Sequence, residues 1–279
     1  MTIQKYANQI CKIDIGLLSK DEYCFFVLSR ILQGECRLTL TDNNRIIICH
    51  SCDPYPVWVW LPDNASPDEM EFAYQTLKAN FEFDGRYRFN LKYDLANFII
   101  NRAEEDGCKM RISTNMLAYN CLSPIAPKKI AQGTCKVATL EDVEIAASFM
   151  NQFHEDVGID QSNIDTHRKK ARELILEQRL YFWYDENGEK VAMTSYGISG
   201  DKGSIGNVFT RHDKRRCGYA ANLVYAVTLI VRDKGKMPTL YTDADYAASN
   251  ACYEGIGYKK QGSLCTIDTK RSIENEFDN

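Results

Sequence analysis

The sequence predicts an α/β (α+β) protein with a mixed, mostly antiparallel sheet flanked by helices, preceded by a second, smaller α/β domain. Short apolar or aromatic runs alternate with amphipathic segments along the chain of 279 residues, a length that accommodates two domains. Two prolines in residues 123–129 interrupt any regular element near the middle. We therefore place the first domain at residues 1–130 and the second at residues 131–279.

In the second domain the predicted order of elements is β-α-α-β-β-β-α-β-α-β-β. Thr139 is placed to cap the first helix, with Asp142 in its first turn. Asn187-Gly188 is a hairpin turn signal. The predicted strands cover residues 134–138, 180–184, 190–197, 204–210, 240–242 and a closing pair within 258–268; the predicted helices cover residues 140–153, 164–178, 221–234 and 249–255. Beyond residue 270 the tail is polar and acidic, and we expect it to fray.

The first domain shows a similar alternation of strands and helices. Ser66 can cap a helix that begins with Pro67, because proline suits the first helical turn. The predicted strands cover residues 37–41, 45–49, 57–61, 87–91 and 110–115; the predicted helices cover residues 21–32, 66–81 and 95–105.

Composition narrows the class of protein. Hydrophobic residues make up 44% and charged residues 26%, and the net charge of -4 argues against a general nucleic-acid binder. No apolar run approaches the ~20 residues that span a bilayer, and the amino terminus does not read as a signal peptide. Eleven scattered cysteines then predict reduced thiols and a cytoplasmic location. The Cys49–Cys52 pair has no second pair to complete a zinc site, so we expect no metal.

The most informative segment runs from Arg215 to Ala220, between a predicted strand and a predicted helix. Unpaired N–H groups and a partial positive charge at a helix start bind phosphate oxygens, and Gly218 would let the backbone approach such a ligand closely. The segment therefore predicts a pyrophosphate site. A solvated basic helix start without a ligand is the alternative.

This segment resembles the acetyl-CoA loop of the GNAT superfamily of N-acetyltransferases. The family pattern is Arg or Gln, two residues, Gly, one residue, then Gly or Ala, and Arg215, Gly218 and Ala220 fill those places. Downstream, residues 249–258 resemble the family's Ser-Asn-x-x-Tyr…Gly-Phe/Tyr segment. The resemblance covers residues 134–268. It departs from many relatives at residues 211–212, where those carry Pro-Pro and this chain carries Arg-His.

The resemblance implies acetyl-CoA as cosubstrate and an amine as acceptor, with no metal. It implies that Asn250 touches the CoA arm and that Tyr253 is the general acid, although Tyr253 could instead pack its helix. The cofactor-binding residues implied are Val208, Phe209, Thr210, Arg215, Arg216, Cys217, Gly218, Tyr219, Ala220 and Asn250. The general base is not identified, and His212, Tyr196, Asp201 and Glu155 are the candidates.

The predicted function is acetyl-CoA-dependent N-acetyl transfer to a primary amine of a small molecule or peptide, by direct attack. The alternative is a non-catalytic acyl-CoA-binding regulatory or partner-binding module. No Arg-x-x-Gly-x-Gly pattern precedes residue 130, so a GNAT-like first domain would be degenerate and without a CoA site. Nucleic acid and membrane are not expected as partners, and a homodimer is left open.

Overall fold

The computed structural model describes residues 2–157 and 163–269, so the tail predicted to fray lies outside the described residues. Two compact units are present and are of similar length. Within the described residues, the first comprises 2–118, 243–245 and 261–269, and the second comprises 119–157, 163–242 and 246–260. The domain boundary at residue 130 stays a prediction.

The first unit is built on consecutive antiparallel strands followed by one parallel crossover. Its strands are β1 (Gln4–Ile10), β2 (Glu35–Thr41), β3 (Ile47–His50), β4 (Val57–Trp60), β5 (Arg88–Leu91) and β6 (Met110–Asn120), and its helices are α1 (Phe26–Ile31), α2 (Pro67–Asn80) and α3 (Tyr93–Glu105). Strands β1 to β4 pair antiparallel in sequence order, and β5 pairs parallel with β4. The last strand of the chain, β12 (Lys259–Thr269), adds antiparallel to β5.

The start of α2 forms as the sequence predicts. The Ser66 hydroxyl accepts a hydrogen bond from the Glu69 N–H at 3.3 Å, and the Glu69 carboxylate accepts one from the Ser66 N–H at 2.7 Å. This reciprocal capping box satisfies two backbone donors at the helix start. Behind it, apolar side chains of the sheet, α2 and α3 form the core of the unit.

The second unit repeats the same order of elements. Its strands are β7 (Thr134–Val137), β8 (Leu180–Tyr184), β9 (Lys190–Ser199), β10 (Lys202–Thr210) and β11 (Met237–Asp243), and its helices are α4 (Val143–Asp156), α5 (Ile164–Leu176), α6 (Tyr219–Asp233) and α7 (Ala247–Gly255). Strands β7 to β10 pair antiparallel in sequence order, and β11 is parallel to β10. The predicted mixed, largely antiparallel sheet flanked by helices is therefore confirmed, and the first unit shares this strand pairing with the second.

Several predicted elements differ in detail. The helix predicted at residues 21–32 is a short 3-10 helix (Ile15–Asp21) followed by the six-residue α1. The helix predicted from residue 140 begins at Val143, after a 3-10 turn over Leu140–Asp142. The closing strand pair is the single strand β12. Strand β1 was not predicted, because this edge strand is polar and almost entirely exposed, which removes the alternation that marks a strand.

Candidate active site

The strands β10 and β11 stay paired for only three residues. Lys202, Gly203 and Ser204 pair with Met237, Pro238 and Thr239, and no later pair follows in the described part of these strands. Strand β10 nevertheless continues for six more residues to Thr210. Its edge toward β11 is therefore open from Ile205 onward, with backbone groups available to another extended chain.

A bulge shapes this open part of β10. Its register with β9 shifts between Gly206 and Phe209, and Asn207 adopts a left-handed φ of 51°. The Asn207 amide donates to the Ser195 hydroxyl at 2.8 Å, which holds the bulge in place. Because a bulge bends its strand and redirects the following residues, it sets the direction of the predicted cofactor-binding residues 208–210.

Phe209 and Thr210 have different surroundings at the end of β10. Phe209 is buried, and its ring centroid lies 5.0 Å from that of Phe149 on α4. The Thr210 hydroxyl is buried and has no hydrogen-bond partner among residues 2–157 and 163–269. An orphaned buried hydroxyl is a group that a ligand can satisfy. Phe209 therefore anchors the strand, while Thr210 leaves a polar atom beside the open edge.

The turn after β10 presents a continuous run of backbone donors. Arg216 and Gly218 have positive φ values of 64° and 90°, and Gly218 is the N-cap of α6 without a side-chain hydrogen bond. The N–H groups of residues 216–221 reach no acceptor within the described chain, whereas the Asn222 N–H bonds the Gly218 carbonyl at 3.1 Å. Free N–H groups and the helix dipole together make an anion site. The predicted site residues from Arg216 to Ala220 lie within this run.

Gly218 owes its identity to its conformation and to a neighbour. The sequence suggests that glycine leaves room for a ligand here. A Cβ at this position would instead lie 3.4 Å from the Lys129 Cγ and Cδ atoms, with the backbone in a conformation that side chains rarely adopt. Glycine is therefore required by the left-handed backbone of the turn, while a Cβ would only come into contact with Lys129.

Arg215 is held away from the run of donors. Its guanidinium pairs with Asp156 at the end of α4, and its Nε donates to the Thr210 carbonyl at 3.2 Å. Arg216 is exposed and makes no ion pair with any described residue. We expected both arginines to add charge to the pyrophosphate site. The structure leaves Arg216 available for that and gives Arg215 a partner of its own.

Helix α7 carries Asn250 and Tyr253, three positions apart. Tyr253 is buried, its ring lies 6.1 Å from that of Tyr258, and its hydroxyl bonds no described residue. Burial, and secondarily the neighbouring Cys252, raises the pKa of the Tyr253 phenol, which stays protonated at neutral pH. Burial raises the pKa of Cys252 to about 11, so its thiol is a poor nucleophile there.

The candidates for a general base have unequal surroundings. Tyr196 is buried and stacks on Tyr181, and Glu155 and Asp201 are exposed. His212 is exposed, with its Nε2 atom 2.9 Å from the Asp156 carboxylate. A histidine held by a carboxylate is the arrangement of a general base and its orienting group. His212, however, lies in the turn after β10 and not at the open edge of that strand.

Three contributors to the site escaped sequence reasoning: Asp156, Lys129 and Asn222. Lys129 lies in the segment between β6 and β7, where the prolines suggested only a linker. Its Nζ atom donates to the Arg216 carbonyl at 3.0 Å. The Asn222 amide donates to the carbonyls of Lys129 and Gly218. These are long-range contacts that no local sequence pattern indicates. An asparagine in the first turn of a helix is a partial signal, because its side chain often bonds backbone groups.

The first unit contains a polar cavity of about 520 Å³ at the ends of β4 and β5. The Lys92 ammonium on its wall donates to Asp21 at 2.7 Å and also contacts Asp63. The Trp60 indole N–H donates to Asp21 at 2.8 Å. These groups satisfy one another. The start of α3 beside them has Lys92 as its N-cap, without a side-chain hydrogen bond, and Asp94 in its first turn, where a carboxylate disfavours a second anion.

The described residues contain no group of three or more His, Cys, Asp or Glu side chains that could hold a metal ion. All eleven cysteines are free thiols; Cys49 faces Cys36 in the core, at 3.5 Å between sulfur atoms, while Cys52 is exposed. None of the helices formed by residues 2–157 and 163–269 has the length and apolar character needed to span a membrane.

The residues present fit acetyl-CoA on three counts. The open edge of β10 matches an extended arm with amide groups, the free N–H run matches a diphosphate, and the orphaned Thr210 hydroxyl lies between these two features in the sequence. The fold and this arrangement define a GNAT-type architecture.

Comparison with known proteins agrees with this class. Residues 184–267 match the family model described as FR47-like protein. A GCN5-related N-acetyltransferase from Sphaerobacter thermophilus aligns with a TM-score of 0.66 at 13% identity, covering 96% of this chain and 95% of its own. One from Kribbella flavida aligns with a TM-score of 0.62 at 17% identity, covering 90% and 95%.

A third solved structure matches over both units. A GNAT-family acetyltransferase from Colwellia psychrerythraea aligns with a TM-score of 0.58 at 13% identity, covering 97% of this chain and all of its own. No curated protein matches the sequence. The resemblance to the GNAT superfamily predicted from the sequence is confirmed: this chain has the GNAT fold, and its carboxy-terminal region carries the family's FR47-like segment.

Proposed function

We propose that this protein is an acetyl-CoA-dependent N-acetyltransferase that acts on a primary amine of a small molecule or peptide by direct attack. One observation carries the proposal. The parallel pair β10 and β11 separates after Ser204, and the open edge of β10 leads straight into a helix start with six free N–H groups. These two features match, in the same order, the extended pantetheine arm of acetyl-CoA and the diphosphate that follows it.

The cosubstrate site would use backbone more than side chains. The backbone of Val208 and its neighbours on the open edge would pair with the amides of the pantetheine arm. The N–H groups of residues 216–221 would hold the diphosphate, with the exposed Arg216 adding charge. When bound, acetyl-CoA supplies an acetyl group activated as a thioester.

Tyr253 is the proposed proton donor. Its phenol is buried on α7, and burial raises its pKa, so the proton stays on Oη at neutral pH and is available to a departing thiolate. Cys252 is adjacent, but the raised pKa of its thiol argues against a covalent acyl carrier. These two features favour direct attack by the amine.

The acceptor class rests on weaker support. Two of the three solved structures named above are described as N-acetyltransferases. A net charge of -4 is compatible with a cationic amine. Within the proposal the acceptor is therefore an amine, with its identity to be found by screening.

The test combines binding and turnover. Thermal unfolding with acetyl-CoA at about 100 times its dissociation constant should show about 2.7 kcal/mol of added stability. Calorimetric titration should give one acetyl-CoA per chain, since the start of α6 has a run of free N–H groups, whereas the start of α2 is closed by a capping box. A panel of primary amines with detection of released thiol should then identify an acceptor.

Each outcome separates the two candidate functions. No stabilisation by acetyl-CoA or CoA would contradict the proposal at its root. Binding with one ligand per chain, but without thiol release for any amine, would favour the non-catalytic acyl-CoA-binding module. Two ligands per chain would contradict the assignment of the site to the second unit alone.

A further inference from the structure

Most positive charge in the turn between β10 and α6 is already neutralised. Arg215 and His212 both contact the carboxylate of Asp156, at 2.9 Å in the case of His212. The side chain of Arg215 is therefore directed toward α4. The Asp156 carboxylate neutralises its positive charge within the protein.

The other two basic residues before Arg215 are paired as well. The Lys214 ammonium lies 2.9 Å from the buried carboxylate of Asp185, and the Arg211 guanidinium lies 2.8 Å from Asp213. Hydrogen bonds to these carboxylates raise the pKa of both basic groups, so they are cations held by acids. Among the basic residues 211–216, only Arg216 lacks an ion pair with a described residue.

Lys129 brings a further cation to the same turn from a distant part of the sequence. Its ammonium donates to the neutral carbonyl of Arg216 at 3.0 Å, and no carboxylate in the described chain lies within ion-pair distance of it. An ammonium has three donors, and only one of them has an acceptor here. The remaining donors and the whole charge lie beside the run of free N–H groups.

The position of Lys129 is fixed by two packing features. The buried amide of Asn222 donates to the Lys129 carbonyl at 2.8 Å and to the Gly218 carbonyl at 2.9 Å, which joins the segment before β7 to the first turn of α6. The aliphatic stem of Lys129 runs against Gly218, where a Cβ would lie 3.4 Å from it. Lys129 is exposed to solvent, and its ammonium is held at the turn by these contacts and by the Arg216 carbonyl.

We propose that Lys129 is a phosphate-binding residue of the acetyl-CoA site and supplies there the positive charge that Arg215 does not. The inference rests on the proposed function, because the phosphate group is that of the cosubstrate. Phosphate is the ligand chemistry that an uncompensated ammonium beside free N–H groups recognises. The segment between β6 and β7 is then part of the binding site.

The experiment measures CoA affinity by calorimetric titration of the full chain. Lys129→Gln keeps a donor for the Arg216 carbonyl and removes the charge, so CoA affinity should fall about tenfold. Lys129→Arg should stay within about threefold of the wild type, since it restores the charge. The exposed neighbour Lys128, changed to Gln, is the matched control and should leave affinity unchanged.

Pantetheine, which lacks the phosphates, distinguishes contact from support. Its affinity should be equal for the wild type and Lys129→Gln, and the loss of CoA affinity should shrink as salt is added. An equal loss for both ligands would overturn the phosphate contact and make Lys129 a support of the turn. Unchanged CoA affinity in Lys129→Gln would overturn it as well, whereas a wild type that fails to bind CoA would overturn the proposed function itself.

Thermal unfolding without ligand checks that the variants fold. If Lys129→Gln does not fold, Lys129→Met and the salt dependence of wild-type binding carry the same test. Wild-type affinity that is independent of salt between 50 and 300 mM would contradict a phosphate contact by a free cation, by the screening argument that surface charges weaken over a Debye length of about 10 Å or less.

Discussion

The starts of α2 and α6 occupy the same place in the two units, after the fourth strand and before the strand that pairs parallel with it. They differ in whether side chains cap their first N–H groups. Helix α2 begins with a capping box between Ser66 and Glu69 and has Pro67 in its first turn. Helix α6 begins at Gly218, without a side-chain cap and without an acid in its first turn. One helix start is closed by its own side chains, and the other is open to a ligand.

Charge reinforces this difference. A hydrogen bond from Arg45, and a further one from the Ser66 N–H, lowers the pKa of Glu69 to about 2, so its carboxylate is ionised at any physiological pH. Asp68 lies beside it. Both acids occupy the positive end of the α2 dipole; Glu69 is paired with Arg45, and Asp68 would repel a phosphate. The two units therefore share the topology at this helix start, and under the proposed function a few residues there restrict the CoA site to the second unit.

The helices after the parallel strands differ in the same sense, and this yields the largest expected effect. Helix α3 buries only apolar side chains, among them Leu95 and Ile99, whereas α7 buries Tyr253. We predict that Tyr253→Phe lowers kcat by about 10²–10⁴, the usual value of general acid help. The affinity for acetyl-CoA should change little, because the ring and its packing remain. Steady-state kinetics with a rate-limiting chemical step measures both.

Tyr258 provides the matched control for this prediction. Its hydroxyl shares a hydrogen bond of 2.7 Å with Thr228, and its ring is the neighbour of Tyr253. Tyr258→Phe should cost about 1 kcal/mol of stability through that lost bond and leave kcat within about threefold. A loss in kcat below about threefold for Tyr253→Phe would instead favour a packing role for Tyr253.

Placing the acids of α2 at the start of α6 should make the two helix starts alike in charge. Ala220 and Ala221 stand at the positions in α6 that Asp68 and Glu69 hold in α2. We predict that the double variant Ala220→Asp/Ala221→Glu binds CoA about 100-fold more weakly. Its stability without ligand should stay equal or rise by about 0.3–1 kcal/mol, because acids favour a helix start.

The neutral double variant Ala220→Asn/Ala221→Gln controls for side-chain size. It should bind CoA at least about tenfold more tightly than the acidic variant, since only charge separates the two. Calorimetric titration measures affinity, and thermal unfolding measures stability. Equal weakening by both variants would mean that bulk, and not charge, closes the site.

Sequence reasoning succeeded where a local pattern determines local structure. Ser66 with Pro67 specified the closed start of α2, and Gly218 specified the left-handed residue from which α6 begins. The bounds of most strands followed from the same kind of signal, because apolar alternation and turn residues act over a few positions. These features are sufficient to recognise the fold and the turn of the candidate site.

It failed where distant segments determine the outcome. The pairing of Arg215 with Asp156 joins positions 59 apart in sequence, and the contact of Lys129 with Arg216 joins positions 87 apart. No periodicity or motif encodes such contacts. The separation of β10 from β11 is equally invisible, because it depends on register and on the bulge at Asn207. The motif thus indicated the candidate site, while the partners of its charged groups are seen only in the structure.

The smallest expected effect is on the pH dependence of stability. It comes from the helical segments that follow the first strand of each unit. In the second unit, His154 on α4 and His167 on α5 meet edge to face, with ring centroids 4.7 Å apart. Burial lowers the pKa of both rings, and for His154 the neighbouring His167 lowers it further. The corresponding segments of the first unit, Ile15–Asp21 and α1, contain no histidine.

Because the folded rings resist protonation, the unfolded chain binds more protons below its ordinary histidine pKa of about 6.5. Stability should therefore be constant above about pH 7 and fall as the pH drops from 6.5 toward 5, by at most about 1.4 kcal/mol per pH unit for each histidine. We predict that His154→Gln/His167→Gln flattens this dependence more than His50→Gln, which removes the single buried histidine of the first unit, whose pKa is also lowered by burial. Urea unfolding at a series of pH values measures the slope, which is independent of any constant cost of the substitutions. Equal slopes for the wild type and the double variant would mean that the pair of rings does not remain neutral in the folded protein.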